Sequence, residues 1–176
     1  VPAMVRWPGK IKAGSVSNKI VHHMDWLPTF LAAAGEADVK EKLLKGHQAM
    51  GRKYKVHLDG YNFLPYLTGQ IDRGPRREFF YWNDDGNLVG LRYSDWKLVF
   101  KENRAQTMAL WREPFVELRT PLLFNLRADP FEEANEIGIG YERWWVDHMF
   151  VFVPAQAIVG EFLSTFQEFP PRQKAA

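Results

Sequence analysis

His22, His23 and Asp25 stand within four positions of one another, and imidazoles with a carboxylate are the donor types of a divalent-metal site. On an extended segment, however, His22 and His23 point to opposite faces and cannot grip one ion. His23 and Asp25 share a face, yet two ligands fall short of the three or four that zinc takes. Asp25 is better placed to cap the helix that follows. Asn83-Asp84-Asp85-Gly86-Asn87 has the composition of a calcium loop, but Tyr81 stands where the EF-hand pattern needs its first carboxylate. A hairpin turn accounts for every residue there. His47 and His57 lie in a basic segment without an acidic partner at helical spacing, and His148 falls on the apolar face of a helix. The aromatics Phe79 to Trp82, Trp144 and Trp145 are material for a sugar-stacking platform, although strand and helix spacing makes core packing their ordinary use. There is no cysteine, and no G-x-S-x-G, P-loop, G-x-G-x-x-G or H-E-x-x-H motif. A nucleophile needs a positioned base and a group that holds developing negative charge. No such trio is present, so the residues of this chain yield no catalytic, cofactor-binding or metal residue.

The elements that would position these side chains follow from the spacing. The 176 residues, 46% hydrophobic and 25% charged, suit one domain or two small ones, neither disordered nor fibrous. No contiguous apolar run approaches the roughly 18 residues of a membrane span. The net charge of +2 gives no sign of nucleic-acid binding, although it is unevenly placed. Residues 1–57 carry ten Lys/Arg against four Asp/Glu, an excess that reads as a solvated surface around turns. Ala3–Trp7 and Lys19–His23 have the composition of short strands, the first closed by Pro8-Gly9. Asp25 starts a helix that Gly35 stops. A short helix around Val39–Leu44 sits in a basic connector, and another spans Phe63–Leu67. Then the period changes. Glu78–Trp82, Asn87–Tyr93, Trp96–Lys101 and Leu122–Leu126 read as an antiparallel meander, with Trp96, Leu98 and Phe100 on one face. Two one-sided helices follow: Tyr141 to Phe152, and Ala155 to Phe166, separated by Pro154 and ended by Pro170-Pro171. The meander's apolar face is the surface they would cover.

Five segments in order resemble the arylsulfatase-type sulfatases of the alkaline phosphatase superfamily. They are Val1-Pro-Ala-Met-Val-Arg-Trp-Pro-Gly9; His23-Met-Asp-Trp-Leu-Pro-Thr29 with Gly35; Leu58-Asp-Gly60 with Leu64-Pro-Tyr-Leu-Thr-Gly69; Gly90-Leu-Arg-Tyr-Ser-Asp-Trp-Lys97; and Leu123-Phe-Asn-Leu-Arg-Ala-Asp-Pro130 with Glu133 and Asn135. Phe162 to Gln173, with Phe169-Pro-Pro-Arg172, is similar to the tail of one bacterial branch.

The resemblance implies an α/β fold, α+β within this part. Residues 1–57 would be the C-terminal remnant of the catalytic domain, a strand and helix from the edge of a large mixed sheet, plus the basic connector. Residues 58–176 would be a smaller subdomain, a four-stranded antiparallel sheet with packed C-terminal helices. It also implies sulfate-ester hydrolysis in the parent, through a formylglycine made from Cys or Ser in a C/S-x-P-x-R motif and a divalent cation, usually calcium. Neither maps onto this chain: Ser15, Ser17, Ser94 and Ser164 lack Pro two residues on, and Asp84-Asp85 lies far from the family's metal pair. The expectation is therefore the C-terminal part of such an enzyme, inactive alone, whose partner is the N-terminal catalytic part of the same protein. No nucleic acid or membrane is expected as a partner, and the residues assign no compartment, an exported or periplasmic parent being compatible with them. The alternatives are a non-catalytic module binding sulfated glycans and, last, a metal-binding protein that uses its histidines. An isolated edge at Ala3–Trp7 would favour aggregation.

Overall fold

The computed structural model describes residues 2–171, so Val1 and the Arg172 and Gln173 of the tail resemblance lie outside the described residues. The chain divides into two compact units, one ending at Arg77 and one beginning at Glu78. Residues 58–77, grouped with the meander in the sequence reading, are hydrogen-bonded to Asp25 and Thr29 of the first unit.

In the first unit the two expected strands, Ala3–Trp7 and Lys19–His23, do not form. A strand exists through its ladder, and neither segment pairs with another among the described residues. The Pro8-Gly9 turn does form. The Trp7 carbonyl accepts from Lys10 N at 3.1 Å and Ile11 N at 3.0 Å, and Gly9 takes φ +77°. A 3-10 turn, His23–Asp25, leads into helix α1, Trp26–Ala33. Gly35 ends α1 as expected: at φ +102° its N–H reaches the Ala32 carbonyl at 3.1 Å, and Glu36 N reaches Leu31 at 2.8 Å. These are the two bonds of a Schellman stop. Helix α2 spans Val39–Lys45. The supposed connector then contains a hairpin, β1 His47–Ala49 and β2 Arg52–Tyr54. Its turn residues, Met50 at φ 51° and Gly51 at φ 75°, are both left-handed, as a two-residue type I′ turn demands. Helix α3, Leu64–Leu67, ends at Gly69.

The second unit is the meander. Strands β3 Glu78–Trp82, β4 Leu88–Tyr93, β5 Trp96–Glu102 and β6 Val116–Asn125 pair antiparallel in sequence order. β6 begins six residues earlier than its apolar composition suggests. Its first part pairs Glu117 with Lys101 and Val116 with Glu102, beyond an irregularity after Val99. The register places Leu91 opposite Leu98 and Leu98 opposite Leu123, and all three are buried to within 2% of completely. Complete burial of one such side chain contributes about 1.5–3 kcal/mol. Helices α4 Ala134–Ile137, α5 Tyr141–Asp147 and α6 Phe152–Glu168 follow. Val151 and Ala155 complete the core, with Trp144, Trp145, Phe152, Ile158 and Val159 packed against it. Phe162 stacks on Phe80 at 3.9 Å.

The helical break falls at His148, not Pro154. Pro154 is the third residue of α6, where an amide has no helical acceptor anyway, so the ring is tolerated. Met149–Glu168 is long and apolar enough to cross a membrane by length and composition, contrary to the expectation from contiguous runs. Pro154, Gln156, Gly160, Glu161, Ser164 and Thr165 interrupt the run without lowering its average enough. One face of this helix is the cover of the sheet.

Candidate functional site

Asp25 was expected to cap α1 with its side chain. Instead it is fully buried and makes no bond to the α1 amides. It is the acidic member of a capping box. Oδ2 accepts from His22 N at 2.8 Å, while His22 Nδ1 accepts from Met24 N at 3.1 Å. Arg76 clamps the same carboxylate with both arms, Nε to Oδ2 at 2.8 Å and Nη2 to Oδ1 at 2.6 Å. Tyr61 N donates to Oδ1 at 2.8 Å, and Arg76 Nη2 also reaches the Asp59 carbonyl at 2.9 Å. The guanidinium lies 4.7 Å from the Tyr61 ring centre, and Lys40 Nζ lies 4.8 Å from it. Burial lowers the Lys40 pKa, opposed by the nearby Asp59 carboxylate. The His22 pKa is lowered by burial first and by Arg76 second.

This centre is a fastening rather than a reactive group. A carboxylate saturated by four donors and closed to solvent has no lone pair left to take a substrate proton. Thr29 extends the fastening, donating to the Asp25 carbonyl at 2.6 Å and accepting from Phe63 N at 2.9 Å. Gly60 fits where a Cβ would stand 2.1 Å from the Met24 carbonyl oxygen. Arg76 went unnoticed in the sequence because it lies 51 residues from its partner, in a stretch with no periodicity. His57 does have an acidic neighbour, outside helical spacing: its Nδ1 lies 3.0 Å from Asp59 Oδ1. His22 and His23 serve the helix start, and His148 Nδ1 meets the Trp144 carbonyl at 2.7 Å within a stack of aromatic rings.

The motif residues Asn125 and Asp129 of the second unit are also structural, whereas the buried Asn135 Oδ1 has no hydrogen-bond partner among the described residues. Asn125 Oδ1 accepts from Arg127 N and Ala128 N, which forms the turn after β6. Asp129 caps the next turn through Glu133 N and Ala134 N, at 3.1 and 2.9 Å. The buried Tyr141 hydroxyl both donates to the Leu123 carbonyl and accepts from Leu123 N, and burial raises its pKa.

Asp84 and Asp85 form the β3–β4 turn, as the hairpin reading has it. Asn83 Oδ1 accepts from Asn87 N at 2.8 Å and Asn83 Nδ2 reaches Asp85 Oδ2 at 3.1 Å. Facing this turn is the insertion between β5 and β6. Asn103 fastens it, donating to the Leu110 and Glu113 carbonyls at 3.1 and 3.0 Å. Between them lies a cleft of about 440 Å³, lined by Asp84, Asp85, Trp111, Arg112, Glu113 and Phe115 among others. Among the aromatics named as a platform, Phe80, Trp144 and Trp145 pack against the core, whereas Trp111, not singled out in the sequence, is 84% exposed at the cleft.

The groups implied by the resemblance do not fit these residues. Among the described residues no three of His, Asp or Glu are gathered to hold a cation. The chain has no Cys from which a formylglycine could arise, and no Ser in the required setting.

No family model matches the chain. Over 70 residues it is 39% identical to the ulvan-active sulfatase of Formosa agariphila, a match covering 40% of this chain and 11% of that protein. In fold it is similar to the PsFucS1 sulfatase from Pseudoalteromonas sp., with a TM-score of 0.63 and 23% identity, over 96% of this chain and 30% of that one. The chain thus spans a minor part of the length of both. The sulfatase resemblance and the mixed fold with a four-stranded antiparallel sheet and C-terminal helices are both borne out.

Proposed function

We propose that this sulfatase-like chain is the C-terminal region of a sulfuric ester hydrolase, and that the formylglycine and cation ligands of the whole enzyme lie outside it. The observation that carries this reading is the kind of work its shared motifs do. Asp25, Thr29, Gly60, Asn125 and Asp129 fasten helices and turns, and none is poised for chemistry. A region in which these five motif positions build structure completes a fold and borders a site made elsewhere. The substrate class proposed for the whole protein is a sulfated polysaccharide, from the named activity of the Formosa relative.

The remainder of that enzyme is the partner we propose for the first unit. α1 buries Pro28, Thr29 and Ala32 but leaves Leu27 and Phe30 at 52% and 63% exposure, beside exposed Val21 and Met24. Such a patch marks a covered surface.

The test compares this chain with the longer open frame, each with calcium and an aryl sulfate. This chain should release no sulfate above buffer. The longer protein should turn over and lose its activity when the Cys or Ser of its C/S-x-P-x-R motif is replaced. Turnover by this chain, abolished by a substitution within it, refutes the reading. The second reading, a module binding sulfated glycans, draws on the net +6 of residues 1–57. It requires retention on immobilised heparin that falls steeply with salt.

A further inference from the structure

We propose that the cleft between the β3–β4 turn and the 110–115 segment is a binding site for uncharged sugar units of a polysaccharide, and that it rejects the sulfated ones. Its volume of about 440 Å³ lies in the range of small-molecule sites. Three features of the lining select the ligand. Trp111, 84% exposed, and Phe115, 37% exposed, offer flat apolar faces of the kind that stack on the C–H face of a pyranose. Asp84, Arg112 and Glu113 make no side-chain hydrogen bond or ion pair among the described residues, so acceptors and a donor stand ready in one concavity. A mixture of carboxylates and a guanidinium is the complement of vicinal hydroxyls, each of which both donates and accepts. The third feature is sign. Asp84, Asp85 and Glu113 outweigh Arg112, so the field of the cleft opposes a sulfate group while leaving a hydroxyl unaffected. Arg112 in turn disfavours a cationic ligand.

The site stands on a firm base. Asn83 holds the β3–β4 turn from one side and Asn103 holds the insertion from the other, both through bonds to the backbone. The inference uses the sulfatase-like reading only to take a polysaccharide as the source of the sugar. The sulfate ester to be cleaved would be handled elsewhere, and this cleft would hold a neighbouring, unsulfated unit.

The test titrates the 176-residue chain with neutral galacto-, xylo- and manno-tetrasaccharides and with the same three after chemical sulfation, by heteronuclear NMR at low and high salt. At least one neutral tetrasaccharide should shift the Trp111 indole resonance and the 83–87 amides. Its sulfated form should bind about fivefold or more weakly at low salt, with the gap narrowing at high salt. Trp111→Ala should weaken the neutral ligand roughly five- to tenfold. Asp84→Asn with Glu113→Gln should shrink the discrimination against the sulfated form. All three substitutions alter exposed side chains, and retained amide spectra confirm that they leave the fold intact. Failure of every neutral tetrasaccharide to bind, tighter binding of a sulfated one, or binding indifferent to Trp111→Ala overturns the proposal. Hydrolysis is not read in this experiment, so its outcome is independent of whether the longer protein cleaves sulfate esters.

Discussion

Replacing Arg76 with Met removes the charge that faces Asp25 while keeping most of the side-chain volume. Both groups are closed to solvent, Asp25 completely and Arg76 at 5% exposure. The substitution leaves a carboxylate in the interior with the His22 and Tyr61 amides as its remaining donors, at 2.8 Å each. Two charge-assisted bonds and the Asp59 carbonyl contact are lost. Breaking one side of a buried pair costs about 3–5 kcal/mol. Asp25→Asn in turn strands the buried Arg76 charge and sets an amide NH2 against donors, so it too is costly alone. Asp25→Asn combined with Arg76→Met costs less than the sum of the two, because no charge is then stranded. The oxygen that Asp25→Asn keeps stands opposite only one of the His22 and Tyr61 amides, and the other, left unpaired, still keeps the double variant from neutrality. The assay is native-state hydrogen exchange at Thr29 to Ala33 in α1, read in the whole chain so that the second unit serves as an internal control. A loss of 3–5 kcal/mol lowers protection there by about two to three and a half powers of ten. Amides of β4 and β5 should keep theirs. Unchanged α1 protection in Arg76→Met, or strict additivity in the double variant, would refute the view that this pair fastens the first unit.

Three further outcomes follow from the geometry. Gly60→Ala puts a Cβ 2.1 Å from the Met24 carbonyl oxygen, a backbone atom that cannot swing away. It should cost about 3 kcal/mol or more, seen as lost α1 protection, and full protection would contradict the packing described. His22 has a folded pKa below its ordinary 6.5, so the folded unit binds fewer protons than the unfolded chain. Stability of the first unit is therefore present above about pH 6.5 and declines as pH falls below it; urea midpoints across that window should slope upward with pH, and His22→Asn should flatten the slope. Leu27→Ser with Phe30→Ser removes the two most exposed apolar side chains of α1. It should reduce self-association of the chain in sedimentation equilibrium, and an unchanged association constant would rule that face out.

What the sequence disclosed was whatever is encoded by neighbours along the chain. The meander's alternation at Trp96, Leu98 and Phe100, the Asp85-Gly86 turn and the Gly35 stop are local signals, and the residues do locally what those signals require. The two N-terminal strands were misread for the opposite reason. Apolar composition marks a segment that fits a pleated surface, but the ladder comes from another segment, and nothing among the described residues supplies one. The hairpin at 47–54 was hidden because Met50 takes a left-handed conformation that side chains of its size rarely adopt. The early start of β6 was hidden because its exposed half carries Glu117 and Arg119, a polar edge rather than an apolar run.

The candidate site obeys the same division, with a consequence for how the motifs should be weighed. Asp25 stood out in the sequence, yet its role is fixed by Arg76 and Tyr61, 51 and 36 residues away. A helix-start reading could not have told a capping aspartate from a buried one, since both precede an apolar stripe. The difference is made by what arrives from residues 58–77. The cleft has the reverse character. Asp84 and Asp85 were visible as turn formers, while Trp111 lay in an insertion without periodicity, and the pairing of β4 with β5, which sets the start of β4 beside the end of β5, brings the two together. Similarity to a sulfatase concentrates attention on the residues that match, and four of those, Asp25, Thr29, Asn125 and Asp129, hold backbone here. Asp84, Arg112 and Glu113, whose side chains make no hydrogen bond or ion pair among the described residues, stand outside the matched motifs. If the chain recognises anything by itself, recognition belongs to that unmatched cleft, where side chains face solvent, and not to the matched fastening, where every oxygen of Asp25 is already occupied.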